Sequence, residues 1–178
     1  MKKAIKTLIF FVLIITICFV IAKIIYKDDY IDIIEKECKK YNIDKYEILA
    51  IIKAESNFDC NAVSSKKAIG LMQLTLDTAN WCAKRLDIDE VTEDDLHNPE
   101  LNIKLGVYYY SYLLEQYHDV NTALAAYNAG MGKVNVWLSD KNYSKNGITI
   151  DSTPYEETNK YITKINNNLK IYKFLYKE

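Results

Sequence analysis

Apolar and polar positions divide the chain into one uninterrupted apolar run and a series of shorter segments with helical spacing. Thr7 to Ala22 reads TLIFFVLIITICFVIA, 16 residues without a charge, and Ile24, Ile25 and Tyr26 follow after Lys23. A run with no polar face suits a membrane-spanning helix better than a core helix of a globular protein. It is slightly short for a bilayer, but Lys6 and Lys23 can reach toward the headgroups and lengthen the effective span. Beyond Asp28 the pattern changes. Tyr30 to Tyr41 carries Ile31, Ile34, Cys38 and Tyr41 at helical spacing, predicting an amphipathic helix. Asn42-Ile43-Asp44 forms a break, with Asp44 as the expected N-cap. Tyr46 to Ser56, with Ile48, Leu49, Ile51 and Ile52, predicts a helix that must be largely buried.

Asn57 to Lys67 reads as a loop, and helices are expected over Leu76–Leu86, Leu101–Tyr117 and Thr122–Asn128, the last ending at Gly130. Val134–Leu138 predicts one further turn, and Ser139–Thr153 a surface loop. Pro154 should start a final helix running toward Tyr176. No segment sustains the two-residue alternation of a strand, and 5 Gly and 2 Pro are few for a fold that must turn often. The expected class is all-α. Residues 1–27 are read as a membrane anchor or signal segment and 28–178 as one compact domain.

Charge sharpens the reading of the first segment. Lys2, Lys3 and Lys6 precede the apolar run and every acidic residue follows it, which places the N-terminus in the cytoplasm and the rest outside the membrane. A cleaved signal peptide with a site at Val20-Ile21-Ala22 is the rival reading, and the domain is then secreted. Both readings export the domain. From Lys23 onward the chain holds 20 basic against 24 acidic residues, which argues against a nucleic-acid partner. Ile17 before Cys18 lacks the small residue of a lipidation signal. Cys38, Cys60 and Cys82 then lie outside the membrane, an odd number; Cys60 and Cys82 can pair across the loop between them, and spacing alone does not decide it. With two histidines and no CxxC, neither a metal site nor a cofactor is expected.

One carboxyl group stands out. Glu55 ends the apolar helix with Ile48, Ile51 and Ile52 on its face. A carboxyl held against such a surface is poorly solvated, so its pKa rises toward neutrality and it can deliver a proton to a glycosidic oxygen. Gly70-Leu71-Met72-Gln73 and Ala126-Tyr127-Asn128-Ala129-Gly130 supply polar hydrogen-bonding groups and an aromatic wall, which a glycan site needs.

The order Glu55-Ser56, Gly70-Leu71-Met72-Gln73, Ala126-Tyr127-Asn128-Ala129-Gly130 and Glu157-Thr158-Asn159-Lys160-Tyr161 resembles the soluble lytic transglycosylase catalytic domain. Asn98-Pro99-Glu100, Asn102-Ile103 and Gly106 resemble the lead into that family's long central helix, and the resemblance covers residues 30 to 165. It implies a lysozyme-like, goose-type α-helical fold behind the N-terminal helix. It also implies cleavage of the β-1,4 bond between N-acetylmuramic acid and N-acetylglucosamine of peptidoglycan, leaving 1,6-anhydro ends. Glu55 matches the catalytic glutamate, acting as acid and then as base. Tyr127 matches a tyrosine near the 2-acetamido group and Ser64 a serine close to the glutamate. Met72 and Gln73 are expected to line the groove, Asn128 to fix local backbone or touch substrate, and Glu157 and Tyr161 to close one side.

No second acidic residue accompanies Glu55 in the motif region apart from Asp59, which suits a substrate-assisted reaction. The chain departs from the family pattern at Cys60, at Thr75-Leu76 and at Met131. These changes bear on loop rigidity and one groove wall, not on the acid. A hydrolytic muramidase of goose-lysozyme type and a glycan-binding module without turnover are the competing functions. The small size and membrane tether suggest local gap-making for a secretion or conjugation apparatus, or routine wall turnover.

Overall fold

The computed structural model describes residues 2–177, and among these it holds eight α-helices, one 3₁₀ turn and no β-strand. The helices are α1 (Lys2–Ile25), α2 (Ile31–Tyr41), α3 (Lys45–Glu55), α4 (Leu76–Arg85), α5 (Pro99–Tyr117), α6 (Val120–Ala129), α7 (Met131–Leu138) and α8 (Glu156–Tyr176), with the 3₁₀ turn at Asp94–His97. The all-α expectation holds. α1 stands apart: 21 of its residues, Ile5–Ile25, form a stretch apolar and long enough to cross a bilayer, and none of that apolar surface is buried inside the protein.

Local chemistry sets the boundaries. The Asp44 carboxylate accepts the Tyr46 N–H at 3.0 Å and opens α3, as its position after the break predicts. Asn98 accepts the Leu101 N–H at 3.1 Å with Pro99 in the first helical position, so α5 starts two residues earlier than its apolar pattern. Asp119 accepts from both the N–H and the hydroxyl of Thr122, at 2.8 and 2.6 Å, and α6 begins at Val120, two residues before the expected Thr122. Gly130, at φ 90°, turns the chain straight into α7, which is a full helix of eight residues and not the single turn expected. α8 begins at Glu156 because the Asn159 amide reaches back and pairs with both the N–H and carbonyl of Thr153, holding Pro154 in the extended segment before it. The 3₁₀ turn lay hidden in an acidic stretch. Its Asp95 carboxylate is held by the Thr92 N–H and hydroxyl at 2.8 and 2.7 Å.

α3 is the centre of the molecule. Ile48, Leu49, Ala50, Ile51 and Ile52 are all completely buried. α8 lies antiparallel against it, and polar contacts fix the register at every level. Tyr46 donates to the Tyr176 carbonyl at 2.7 Å, Asn168 to the Ala50 carbonyl at 3.3 Å and Lys164 to the Ala54 carbonyl at 2.8 Å. α5 and α6 complete the main core with Ile103, Val107, Tyr110, Leu113, Ala123, Leu124 and Ala126, and a smaller core gathers around α4.

Between α3 and α4 the chain makes a compact loop that the periodicity could not describe. Ile69 exchanges both backbone hydrogen bonds with Leu74, at 2.9 and 3.1 Å, and Gly70 donates to the Ala62 carbonyl at 2.9 Å. The buried Asn102 side chain clamps this loop from α5. Its Oδ1 accepts the Met72 N–H at 2.8 Å, and its Nδ2 donates to the Ile69 and Leu96 carbonyls at 3.0 and 2.8 Å. Gly70, at φ 79°, passes so close that a Cβ there would collide with Asn102 and the Leu96 carbonyl. Cys60 and Cys82, weighed above as a disulfide pair, are free thiols, and Cys82 is buried within α4. Burial pushes the Cys82 thiol up to about 12.

Asn102→Ala takes their side-chain partner from the Met72 N–H of the loop and the Leu96 carbonyl of the 3₁₀ turn, and leaves the Ile69 carbonyl with the Leu74 N–H alone. We expect a loss of about 3 kcal/mol in unfolding free energy, read as a lower urea midpoint of the detergent-solubilised protein. A variant of unchanged midpoint would show that the loop holds itself.

Candidate active site

Glu55 closes the last turn of α3, where the chain leaves the core. The helix ends at Ser56, whose hydroxyl donates to the Leu71 carbonyl at 2.9 Å and ties the end of α3 to the Gly70–Gln73 turn. From α8, the Tyr161 hydroxyl donates to Glu55 Oε1 at 2.6 Å. That contact follows from the antiparallel register, since α8 residue 164 already sits on the Ala54 carbonyl. From α6, the Tyr127 hydroxyl donates to the Met72 carbonyl at 2.8 Å. Three helices and one turn thus converge on a single carboxyl group.

Its electrostatics follow from that crowding. Glu55 keeps part of its surface open, so a ligand has access to it. Most water is nevertheless displaced from the carboxyl, and this desolvation raises its pKa from the ordinary 4.5 to about 7. The Tyr161 hydrogen bond and the Lys164 ammonium both favour the ionised form and oppose the rise without cancelling it. Burial also pushes the Tyr127 and Tyr161 phenols well above their ordinary range, and the Glu55 charge adds to it, so both stay protonated donors. The site therefore holds one carboxyl poised to lose its proton near neutrality, beside two neutral phenols.

The other expected site residues differ in what they offer a ligand. Gln73 has a left-handed backbone at φ 48°, and its Nε2 donates to the Ala62 and Gly70 carbonyls at 3.0 Å each; its Oε1 takes no partner among the described residues and is the atom left for a ligand. Ser64 accepts the Ala68 N–H at 3.0 Å and shapes the turn below Val63. Met72 does not line a groove with its side chain, which is completely buried and packs against Gly106, where a Cβ would overlap it. It offers the site its carbonyl only. Asn128 Oδ1 accepts the Thr158 hydroxyl at 2.8 Å, joining the end of α6 to the start of α8. Glu157 is exposed and meets Lys66 at 3.2 Å across the loop, a pair worth at most about 1 kcal/mol. Asp59, the other carboxylate of the motif region, is exposed and accepts the Asn61 N–H at 2.9 Å.

Sequence reasoning passed over Ser56, Lys164 and Tyr109 as parts of this neighbourhood. The Tyr109 ring lies 5.4 Å from that of Tyr127 and fixes it from behind. Ser56 was visible beside Glu55, but its link to Leu71 depends on the loop path. Lys164 carries no local signal, because its role comes from register alone.

The site thus presents a carboxyl of raised pKa on a partly exposed surface of a helical fold, beside the Tyr161 and Tyr127 hydroxyls. The chain belongs to the transglycosylase SLT domain family, whose sequence profile matches residues 32–149. It is 32% identical over 168 residues to a membrane-bound lytic murein transglycosylase C of Histophilus somni, covering 82% of this chain and 46% of that protein. It is 30% identical to the soluble lytic murein transglycosylase of Salmonella typhimurium over 76% of this chain and 22% of that protein. The chain thus spans less than half the length of these relatives. Among solved structures, the lytic transglycosylase Slt of Pseudomonas aeruginosa, determined as an inactive glutamate-to-glutamine mutant, superposes with a TM-score of 0.75 at 30% identity, covering 85% of this chain and 25% of that one. The 70 kDa soluble lytic transglycosylase of Escherichia coli gives a TM-score of 0.76 at 26% identity, over 88% of this chain and 26% of that one. The lysozyme-like expectation for the fold holds.

Because Tyr161 donates to the ionised carboxylate, Tyr161→Phe removes a force that lowers the Glu55 pKa. The Glu55 titration, followed by carboxyl-carbon NMR, should then move above about 7; a midpoint that falls would mean the phenol acts in another way. The stability sign follows separately. A raised folded-state pKa means that Glu55 stabilises the fold when protonated, in full below its ordinary 4.5, and that this is lost as pH rises through about 7. Glu55→Gln should therefore raise the melting temperature relative to the parent at pH 8 and leave it little changed at pH 4.

Proposed function

We propose that this protein is a peptidoglycan lytic transglycosylase that cleaves the β-1,4 bond between N-acetylmuramic acid and N-acetylglucosamine through Glu55 alone. The observation that carries the reading is the largely desolvated yet partly exposed Glu55, poised near neutrality and hydrogen-bonded by Tyr161. The names of its relatives supply the substrate class, murein.

In the first step the protonated Glu55 gives its proton to the glycosidic oxygen as the C1–O bond breaks. The substrate's own 2-acetamido oxygen stabilises the positive charge left on C1, so no second carboxylate is required. Asp59 and Glu157 are exposed and engaged elsewhere, which fits that division of labour. In the second step the Glu55 carboxylate takes the proton of the muramoyl 6-hydroxyl while O6 bonds to C1. The 1,6-anhydro end forms, Glu55 regains its proton, and no water is consumed. An internal hydroxyl competes well with water because it is held at a very high effective concentration. Tyr127 and the Gln73 Oε1 are the groups assigned to hold the acetamido and neighbouring sugar atoms, and Ser64 to border the loop side. α1 is assigned as a single membrane span that leaves the N-terminus cytoplasmic and holds the catalytic part outside, where the wall lies. Local opening of the wall for a secretion or conjugation apparatus, or routine turnover, is the process this placement serves.

Mass spectrometry of muropeptides released from purified sacculi is the test. The parent protein should release 1,6-anhydro-muropeptides, and Glu55→Gln should lower the rate by about 10²–10⁴-fold. Reducing-end products would replace this mechanism with hydrolysis, and sacculus binding without release would make the protein a binding module. The rate should also fall as pH rises through about 7, because the first step needs the protonated acid.

A further inference from the structure

The end of α8 lies beside the end of α1, not beyond it. Lys23, two residues before α1 ends, holds its ammonium 4.7 Å from the centre of the Tyr176 ring. The Tyr176 hydroxyl donates to the Tyr26 carbonyl at 2.7 Å, the Tyr172 hydroxyl to the Lys27 carbonyl at 3.0 Å, and Lys53 to the Ile25 carbonyl at 2.6 Å. The Tyr26 and Tyr172 rings meet edge to face at 5.5 Å. α1 therefore runs directly into a packed junction, where side chains of α3 and α8 take the carbonyls of Ile25, Tyr26 and Lys27. Nothing here behaves as a free tether.

One side chain of this junction is otherwise unexplained. Phe174, on the same turn of α8, is 80% exposed, more than any other large apolar residue described. A single exposed phenylalanine on a soluble surface needs no explanation. Here its neighbourhood decides the matter, because its turn also carries Tyr172 and Tyr176, which contact Lys23, Tyr26 and Lys27 at the end of α1, where Ile24 and Ile25 are 70% and 50% exposed. Lys170 and Lys177 are exposed on the same stretch of α8, while Lys173 is held by Asp44 at 2.8 Å. Tyrosines, lysines and one outward phenylalanine at the end of an apolar span match the chemistry of a headgroup layer.

We propose that the last turn of α8 rests in the outer headgroup layer of the bilayer that α1 crosses, with Phe174 inserted at the boundary with the acyl chains. This rests on the reading of α1 as a membrane span. Its consequence concerns the site. Tyr161 lies thirteen residues before Phe174 on the same helix, about 20 Å along its axis. Glu55, which Tyr161 holds, is then kept at a fixed short height, and the enzyme acts on the glycan layer next to the membrane.

The test uses the full chain in liposomes, with phospholipids brominated on the acyl chains as quenchers. The protein already contains Trp81 and Trp137, in α4 and α7, so their emission is the baseline. Phe174→Trp should add emission that brominated lipid removes almost completely, while the baseline emission is unchanged. Added emission that survives in bilayer-embedded protein would overturn the docking and leave the span intact. Release of the parent protein from the membrane by alkaline carbonate would overturn both the span and the docking, whereas loss of sacculus cleavage bears on the catalytic reading alone.

Discussion

A carboxyl group holds its proton near neutrality where water is withheld from it, and can pass that proton on only if it is not sealed off; this structure is arranged around that double constraint. Glu55 meets it by standing at the end of a helix whose preceding residues, Ile48 to Ile52, are fully buried. Three residues earlier, at Ile52, it would be lost in the core. Two residues later it would join the exposed Asn57 and be fully hydrated. The raised pKa to about 7 is thus a property of a boundary, and the fold must hold that boundary still.

Two devices do so from opposite sides. The antiparallel register of α3 and α8 is pinned at Tyr46–Tyr176, Ala50–Asn168 and Ala54–Lys164, and the same register delivers Tyr161 to the carboxyl. On the other side, the loop after Glu55 buries Phe58, Ile69, Leu71, Met72 and Leu74, and hydrogen bonds to Asn102 and the Ser56 contact to Leu71 fix its path. Buried hydrogen bonds of this kind add modest stability but are costly to leave unmade. They therefore act more as a specification of loop shape than as a source of stability. The Tyr127 hydroxyl joins the two sides, because it stands on α6 and bonds to the Met72 carbonyl of the loop.

The helical layout was legible in the sequence because it rests on period and capping chemistry, which are local. α2, α3 and the body of α5 fall where Ile34 and Cys38, Ile48 to Ile52, and Ile103 to Tyr117 place them, and Asp44 caps as its position implies. Glu55 was legible for the same reason, since a helix that buries Ile51 and Ile52 must also strip water from its last turn. What depends on path was not legible. Met72 sits in a motif that reads as groove lining, yet the left-handed Gln73 and the close approach of Gly106 turn its side chain into the core. Lys164 and Tyr161 reach Glu55 only because two helices more than a hundred residues apart share a register. The starts of α6 and α7 slipped because Asp119 and Gly130, polar or absent side chains, set them and apolar spacing does not.

α8 links two problems that a single-helix anchor usually keeps separate. Its first half carries Thr158, Tyr161 and Lys164, which bond Asn128, Glu55 and the end of α3. Its second half carries Tyr172 and Tyr176, which take the carbonyls just beyond α1. A helix of 21 residues is about 30 Å long and stiff over that length. Any tilt of the domain relative to α1 must therefore either break the tyrosine contacts at the lower end or shift Tyr161 against Glu55 at the upper end. Since the upper contact sits in the crowded boundary that sets the carboxyl's protonation, the lower junction is the part that can yield, and it is secured by four side chains, Lys53, Tyr172, Tyr176 and Lys23. The geometry of attachment is in this way coupled to the geometry of the acid.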